Sequence, residues 1–119
     1  MPVFKRAIEK PLEKVENAIA YFRYLGETSG EEFDYYMRMF IIPPNGYMPL
    51  HKHNRLFHLQ LVLDGEMEVI INDEHYKVSK GDVIYIPSKA KHKYVNNSER
   101  DVVFICITPK LEDEMIILE

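Results

Sequence analysis

The sequence predicts an all-β protein in one domain, built as a sandwich or barrel of short antiparallel strands. Three observations support this prediction. Runs of β-branched and aromatic residues, bounded by turn residues, recur about every ten residues. No long window shows the roughly 3.6-residue apolar period of an amphipathic helix. The length of 119 residues lies within the usual range for one domain.

Nine segments are predicted to be strands because they alternate or concentrate apolar residues between turn signals. The turns expected between them include Asp64-Gly65, the stretch "IINDEHY" and the stretch "SKGDV". The middle of the chain is therefore expected to be a series of antiparallel hairpins. The nine segments are 18–25, 33–42, a short strand ending at 53, 58–63, 66–71, 75–79, 82–86, 91–96 and 102–108.

The strand predicted at 33–42 is apolar on both faces. Side chains alternate along a strand, so one face carries Met37, Met39 and Ile41, and the other carries Tyr36, Arg38, Phe40 and Ile42. Such a strand fits a double-layered structure in which one outer face meets a second subunit. The apolar tail at 115–118 is too costly to leave wet, so it is expected to dock on its own barrel or on a neighbour. A homodimer is predicted.

Composition excludes several classes of partner. The net charge is −4 and charged residues are interspersed, which argues against nucleic acid. No apolar run is long enough to cross a bilayer, and the charged first residues show no secretory signal, so we expect a cytoplasmic protein without a membrane partner. Cys106 is the one cysteine, so neither an intrachain disulfide nor a cysteine-based zinc site can stabilise the fold.

The stretch "HKHNRLFH" places three of the five histidines within eight residues. His51 and His53 share a face if they lie on a strand. His58 has the opposite parity, so we expect the chain to reverse in a four-residue hairpin loop at 54–57. That hairpin would make His53 and His58 a cross-strand pair and direct three imidazoles to one point. Incidental clustering on the surface or in the core is the alternative.

Two longer stretches carry a family resemblance. "GYMPLHKHNRLFHLQLVLDG", 46–65, resembles the first motif of the cupin family, and "GDVIYIPSKAKHKYVN", 81–96, resembles the second. The resemblance implies a double-stranded β-helix, or jelly-roll barrel, as a single cupin domain over 1–119. Its motif core would be 46–96, with N-terminal strands at 18–42, a C-terminal strand at 102–108 and a tail at 109–119.

The same resemblance implies a metal site. Its ligands would be His51, His53, His58 and His92, with His58 standing where most metal-binding cupins have glutamate. The chain is thus similar to small four-histidine cupins, in which manganese is a usual metal. Imidazole chemistry by itself equally admits iron, nickel, zinc or copper as the divalent ion. In a six-coordinate ion, the four ligands would leave two positions for water, substrate or dioxygen.

The alternation of side chains along each strand indicates further candidates for the wall of a binding pocket. Tyr94 shares a face with His92, Gln60 shares one with His58, and Cys106 shares one with Phe104. Phe57, in the predicted loop, is a candidate for an entrance wall. Each has a simpler alternative as an ordinary core or rim residue, and Cys106 is most simply a small buried hydrophobe.

A complete ligand set that leaves positions open on the ion favours an enzyme that acts on a small molecule, namely a metal-dependent oxidoreductase of the dioxygenase type. No residue is nominated as a catalytic acid or base. Two alternatives remain open, namely a non-catalytic metal-dependent protein that binds a small ligand, and a metal-dependent isomerase or lyase. A third possibility is that the metal is purely structural. The fold alone does not choose among them.

Overall fold

The computed structural model describes residue 3 and residues 7–25 and 31–119. Within them a short 3-10 helix, Ala7–Glu9, precedes eleven strands. The strands are β1 Glu13–Lys14, β2 Tyr21–Tyr24, β3 Tyr35–Ile42, β4 Tyr47–His53, β5 His58–Asp64, β6 Glu66–Ile71, β7 Glu74–Ser79, β8 Val83–Ile86, β9 His92–Val95, β10 Val102–Pro109 and β11 Met115–Ile117. No helix in these ranges is long and apolar enough to cross a membrane.

The strands form two antiparallel sheets that face each other. The first sheet has the order β1-β2-β3-β10-β5-β8, and the second has the order β11-β4-β9-β6-β7. From β4 to β9 the chain changes sheet repeatedly, so neighbours along the chain are rarely neighbours in a sheet. This connectivity is that of a jelly roll, and the predicted all-β jelly roll is confirmed.

Each of the nine predicted segments contains a strand, whereas β1 and β11 were not predicted. The first predicted segment, 18–25, forms a strand only over Tyr21–Tyr24, with an isolated bridge from Ile19 to Tyr47 before it. β1 and β11 are two and three residues long. Strands this short carry no readable alternation, and they exist because β2 and β4 offer them edges to pair with.

The prediction of successive hairpins is wrong for two of its three turns. Of these three turns, the one between β6 and β7 closes a hairpin, and its residues Asn72 and Asp73 both have positive φ, as a tight type I′ turn requires. At Gly65 and at Gly81 the chain instead passes from one sheet to the other. Turn residues indicate that the chain reverses direction. They do not determine which strand the next strand pairs with, because that depends on the sheet in which its apolar face is buried.

Even-numbered positions of the first sheet fill the interior. Phe40, Phe104 and Tyr94 are buried and stack in sequence across the two sheets, with ring centroids 5.2 and 5.6 Å apart. Burial of an aromatic side chain of this size contributes about 2–3 kcal/mol each. The stack closes the barrel beneath the histidines and leaves Met37 and Met39 on the outer face, as parity predicts.

Gly65 should be required for the crossing between β5 and β6. Its φ is +82°, and a Cβ there would lie 2.4 Å from the carbonyl oxygen of Asp101. Gly81 is a matched control, because its φ is +93° but a Cβ would meet nothing within 4 Å. We expect Gly81→Ala to cost about 1–2 kcal/mol, the usual strain of a left-handed residue, and Gly65→Ala to cost clearly more. Urea unfolding measures both, and equal losses would contradict the close approach.

Candidate metal centre

Three strands deliver the four imidazoles to the barrel interior. β4 carries His51 and His53, β5 carries His58, and β9 carries His92. His51 and His92 are register partners in the second sheet, and their ring centroids lie 4.1 Å apart. A ladder pair therefore forms the base of the cluster, and side chains of a cross-strand pair project to the same face.

The predicted cross-strand pairing of His53 with His58 is wrong. β4 belongs to the second sheet and β5 to the first, and the register partner of His53 is Met115. Residues 54–57 are thus a crossing between sheets rather than a hairpin loop. The two rings nevertheless meet, with centroids 4.7 Å apart, because they face each other across the interior.

The four rings form one cluster, although three of them are closest. One ring nitrogen from each of His51, His53 and His92 can be chosen so that all lie within 4.8 Å of one another, the separation expected of ligands around one ion. His58 lies outside this group of three. Its ring centroid is 4.7 Å from that of His53 and 5.3 Å from that of His92.

Backbone and carboxylate oxygens fix the tautomers of three of the rings. Nδ1 of His51 lies 2.7 Å from the carbonyl oxygen of Pro49, and Nδ1 of His92 lies 3.0 Å from that of Ala90. Nδ1 of His53 lies 2.7 Å from Oδ2 of Asp113. An oxygen without a hydrogen can only accept, so Nδ1 donates in each neutral ring. Nε2 is left with a free lone pair, which is the arrangement of a metal ligand.

Two of the four Nε2 atoms are buried and have no partner in the described part of the chain, namely those of His58 and His92. Such atoms are costly unless a ligand satisfies them. Burial lowers the pKa of His58 to about 2 and that of His92 to about 3, and it also lowers the pKa of His51. These three rings are therefore neutral at physiological pH, which metal ligation needs. The residues fit a divalent metal.

The cluster opens into a cavity of about 110 Å³. A larger groove of about 740 Å³ lies on the surface around Ile19 and Tyr47, but none of the histidines lines it. We assign the chemistry to the smaller cavity because the unsatisfied polar atoms are there. Its lining residues are Val15, Arg38, Phe40, Met48, His51, His53, His58, Gln60, His92, Tyr94, Phe104, Cys106 and Met115.

Four of the five predicted pocket residues lie in this wall, where they form a polar chain beside an aromatic floor. Tyr94 and Gln60 are joined by hydrogen bonds, and Nε2 of Gln60 donates to Sγ of Cys106 at 3.4 Å. Cys106 in turn lies 3.6 Å from Nδ1 of His58. Burial raises the pKa of both Tyr94 and Cys106, so both keep their protons. Phe57 lies elsewhere, with its ring against that of Tyr85.

The sequence analysis missed two residues of the site. Arg38 was placed on one face of its strand but was not nominated for the pocket, although an arginine among aromatic residues is a signal. Asp113 gave no signal, because it meets His53 only when the tail folds back. Burial raises the pKa of Asp113, but hydrogen bonds from the backbone N–H of Arg55 and from His53 outweigh this and lower it.

These observations agree with comparisons of the chain with known proteins. A family model described as Cupin domain matches residues 38–108, so the chain belongs to the cupin family. An uncharacterized protein of Methanocaldococcus jannaschii is 32% identical over 81 residues, which cover 66% of this chain and 65% of the relative. An uncharacterized HTH-type transcriptional regulator of Bacillus subtilis is 35% identical over 63 residues, 53% of this chain and 21% of the regulator. The chain thus spans less than two thirds of each relative.

Solved structures share the fold. The polyketide cyclase RemF from Streptomyces resistomycificus superposes with a TM-score of 0.88 at 23% identity, over 100% of this chain and 87% of the cyclase. A predicted oxalate decarboxylase from Thermotoga maritima gives 0.79 at 23% identity, over 92% and 99%. A putative sugar phosphate isomerase from Acidithiobacillus ferrooxidans gives 0.72 at 21%, over 82% and 64%. These neighbours include a cyclase, a decarboxylase and an isomerase on one fold, so the fold does not select a reaction.

Asp113→Ala should weaken metal binding by about 10- to 100-fold, because loss of the carboxylate that orients a ligating imidazole usually has an effect of that size. Glu112→Ala is the matched control, since its exposed side chain is acidic and adjacent in sequence. Competition titration of the metal-free protein against a chelator measures the affinities. Equal affinity in Asp113→Ala and Glu112→Ala would show that His53 needs no orientation by the tail.

Proposed function

We propose that the protein is a metal-dependent oxidoreductase of the dioxygenase type that acts on a small molecule. In this proposal His51, His53, His58 and His92 are the four ligands of one divalent transition metal. The observation that carries the proposal is the pair of buried Nε2 atoms, of His58 and His92, that have no partner within the described ranges. A redox role is favoured over a purely structural one because the ligands border a cavity.

Manganese is the first candidate for the metal because of the resemblance to four-histidine cupins. Iron, nickel, zinc and copper remain alternatives, since imidazole suits them at least as well. When bound, the ion would supply a Lewis acid and a centre at which a substrate and dioxygen can react. The protein's own contribution is to hold the rings in one tautomer and to keep water out with an apolar wall that includes Phe40 and Phe104.

The isomerase or lyase alternative would require a group that moves a proton. Among the described residues, those that line the cavity include no aspartate or glutamate. Tyr94 and Cys106 have raised pKa values because they are buried, so neither is a ready base. This favours the redox proposal. A non-catalytic protein that binds a small ligand through the same metal remains the second candidate, because the same cavity would serve it.

Metal content and oxygen uptake test the proposal together. We expect purified wild-type protein to retain a divalent metal in elemental analysis, and to consume dioxygen with at least one of a panel of enols, diketones and phenols. His58→Gln should lose more affinity than the roughly 10- to 100-fold that supporting residues contribute, because it removes a ligand. His75→Gln is the control, since His75 is exposed and outside the cluster.

The outcomes separate the candidates. Retained metal without oxygen uptake across the panel would contradict the dioxygenase proposal, and saturable ligand binding without turnover would then favour the binding protein. Turnover that proceeds equally under strict anaerobiosis would favour the isomerase or lyase. If His58→Gln keeps its full metal content and affinity, His58 is not a ligand.

We also propose that the protein is a homodimer formed through the outer face of the first sheet. Leu59 and Leu61 are 42% and 39% exposed there, and their neighbours on adjacent strands are also apolar. Monomeric proteins rarely expose apolar patches above a few hundred Å². A face without charge at its centre suits an identical face in a two-fold pair. The face comprises Met37, Met39, Ile41, Leu59, Leu61, Val83, Tyr85, Val103, Ile105 and Ile107.

Leu61→Lys should convert the dimer to a monomer, because each copy would place a charge at the centre of the contact. Tyr76→Lys is the control, since Tyr76 is 44% exposed but belongs to β7 in the second sheet. Light scattering after gel filtration gives the mass of each. A wild-type protein that stays monomeric at high concentration, or a Leu61→Lys variant that stays dimeric, would contradict this interface.

A further inference from the structure

Arg38 is an arginine in the interior of the barrel. It lies on β3 opposite Cys106, on the inward face that also carries Phe40, and it lines the cavity with the four histidines. Its guanidinium carbon is 5.2 Å from the ring centroid of Phe40 and 5.6 Å from that of Phe22. The two rings hold the cation beside the histidine cluster by cation–π attraction.

Part of the hydrogen-bonding capacity of Arg38 is unused within the described residues. Nε is buried and has no partner in the ranges that the structure describes. Arginine has five N–H donors arranged as a planar fork, and contacts with aromatic faces satisfy none of them. Arg38 is half-buried, and its guanidinium has no acidic partner among the described residues of the cavity wall but is free to pair with an anion that enters the cavity. No aspartate or glutamate is among the described residues of the cavity wall, so the missing partner is not a side chain of that wall.

The charge of the loaded cavity demands an anion. This count of positive charges includes the metal ion and therefore rests on the proposed function. Four neutral imidazoles bring no negative charge to the ion, and Arg38 adds a third positive charge beside it. The carboxylate of Asp113 behind His53 offsets one of these three charges. Like charges in an interior of low dielectric repel strongly unless a counter-ion joins them. The same guanidinium contributes to lowering the pKa of the neighbouring His58, a sign of its proximity.

The volume of the cavity limits the size of that anion. A water molecule occupies about 30 Å³ in the liquid, so about 110 Å³ corresponds to roughly four waters. A compact acid with a few non-hydrogen atoms fits within this volume. A carboxylate also matches the fork of arginine, since its two oxygens accept two parallel N–H donors.

We infer that the substrate of this site is a small carboxylate and that Arg38 is the residue that selects it. Arg38 pairs with the carboxylate, and the histidine cluster with its metal receives the other polar atoms of the same molecule. A neutral molecule of equal size leaves the guanidinium unpaired and is rejected. The sequence of β3 thus contributes specificity to a metal site built by β4, β5 and β9.

The test compares two probes of similar shape and different charge, oxalate and neutral oxamide. Titration calorimetry with manganese-loaded protein measures the binding of each, and elemental analysis afterwards checks that oxalate has not removed the metal. The variants are Arg38→Met, which keeps an apolar stem between the aromatic rings, and Arg38→Gln, which serves if the first does not fold. Arg23→Met is the matched control, because Arg23 lies on β2 beside Met39, on the outer face.

Wild-type protein should bind oxalate at least about tenfold more tightly than oxamide. Arg38→Met and Arg38→Gln should weaken oxalate binding by about 10- to 100-fold, the usual effect of losing a charged hydrogen-bonded pair, and leave oxamide binding unchanged. Metal content and melting temperature should stay at the wild-type values in both variants. Arg23→Met should bind both probes as the wild type does.

Three results would overturn the inference while leaving the proposed function standing: no saturable oxalate binding to metal-loaded wild type, equal binding of the two probes, or undiminished oxalate binding in the Arg38 variants. Failure of the proposed function looks different. A wild type that prefers oxalate through Arg38 but consumes no dioxygen with any substrate refutes the oxidoreductase proposal and supports the carboxylate site. A Tm loss without any change in probe selectivity would make Arg38 a packing residue.

Discussion

The structure depends on one constraint, which is that polar groups enclosed between two packed sheets must find partners. Each imidazole of the cluster has two ring nitrogens that need a hydrogen-bond partner or a ligand. For His51 and His92, the carbonyl oxygen two residues earlier in the chain accepts a hydrogen bond from Nδ1 of the ring. Nε2 of His58 and Nε2 of His92 have no partner among the described residues. A protein tolerates such atoms when something it binds completes them.

The C-terminal segment belongs to this arrangement even though it lies far away in sequence. β11 pairs with β4 so that Met115 faces His53, and the backbone N–H of Asn54 donates to the carbonyl oxygen of Glu114. Asp113 then accepts hydrogen bonds from His53 and from the backbone of the 54–57 crossing. The tail therefore orients His53, whose Nδ1 bonds to a carboxylate rather than to a backbone carbonyl, and it restrains the segment between two ligands. β11 thus pairs with the protein's own β4, although Met115 and Leu118 stay 43% and 41% exposed.

The strands and the convergence of the four histidines on one site could be predicted from the sequence, but the pairing of the strands could not. Alternation and turn residues are local, so they located β4 and β5 and the reversal between them. Whether His58 returns to the same sheet depends on which faces are covered, and that is decided by residues such as Phe104, far along the chain. Asp113 is separated from His53 by sixty residues and carries no pattern of its own. Arg38 was readable in principle, because parity alone placed it among inward-facing residues.

The two sheets contribute different kinds of side chain to the site. The second sheet and its tail supply His51, His53 and His92, each of which has its Nδ1 bonded to an oxygen and its Nε2 directed to the site. The first sheet supplies His58, the protonated thiol of Cys106 and the permanent cation Arg38, whereas the protonated Tyr94 comes from β9 of the second sheet. A glutamate in place of His58 would neutralise part of the metal charge and offer Arg38 an internal partner. With histidine at position 58, neither a metal ligand nor an acidic side chain among the described residues of the cavity wall offsets the charge of Arg38.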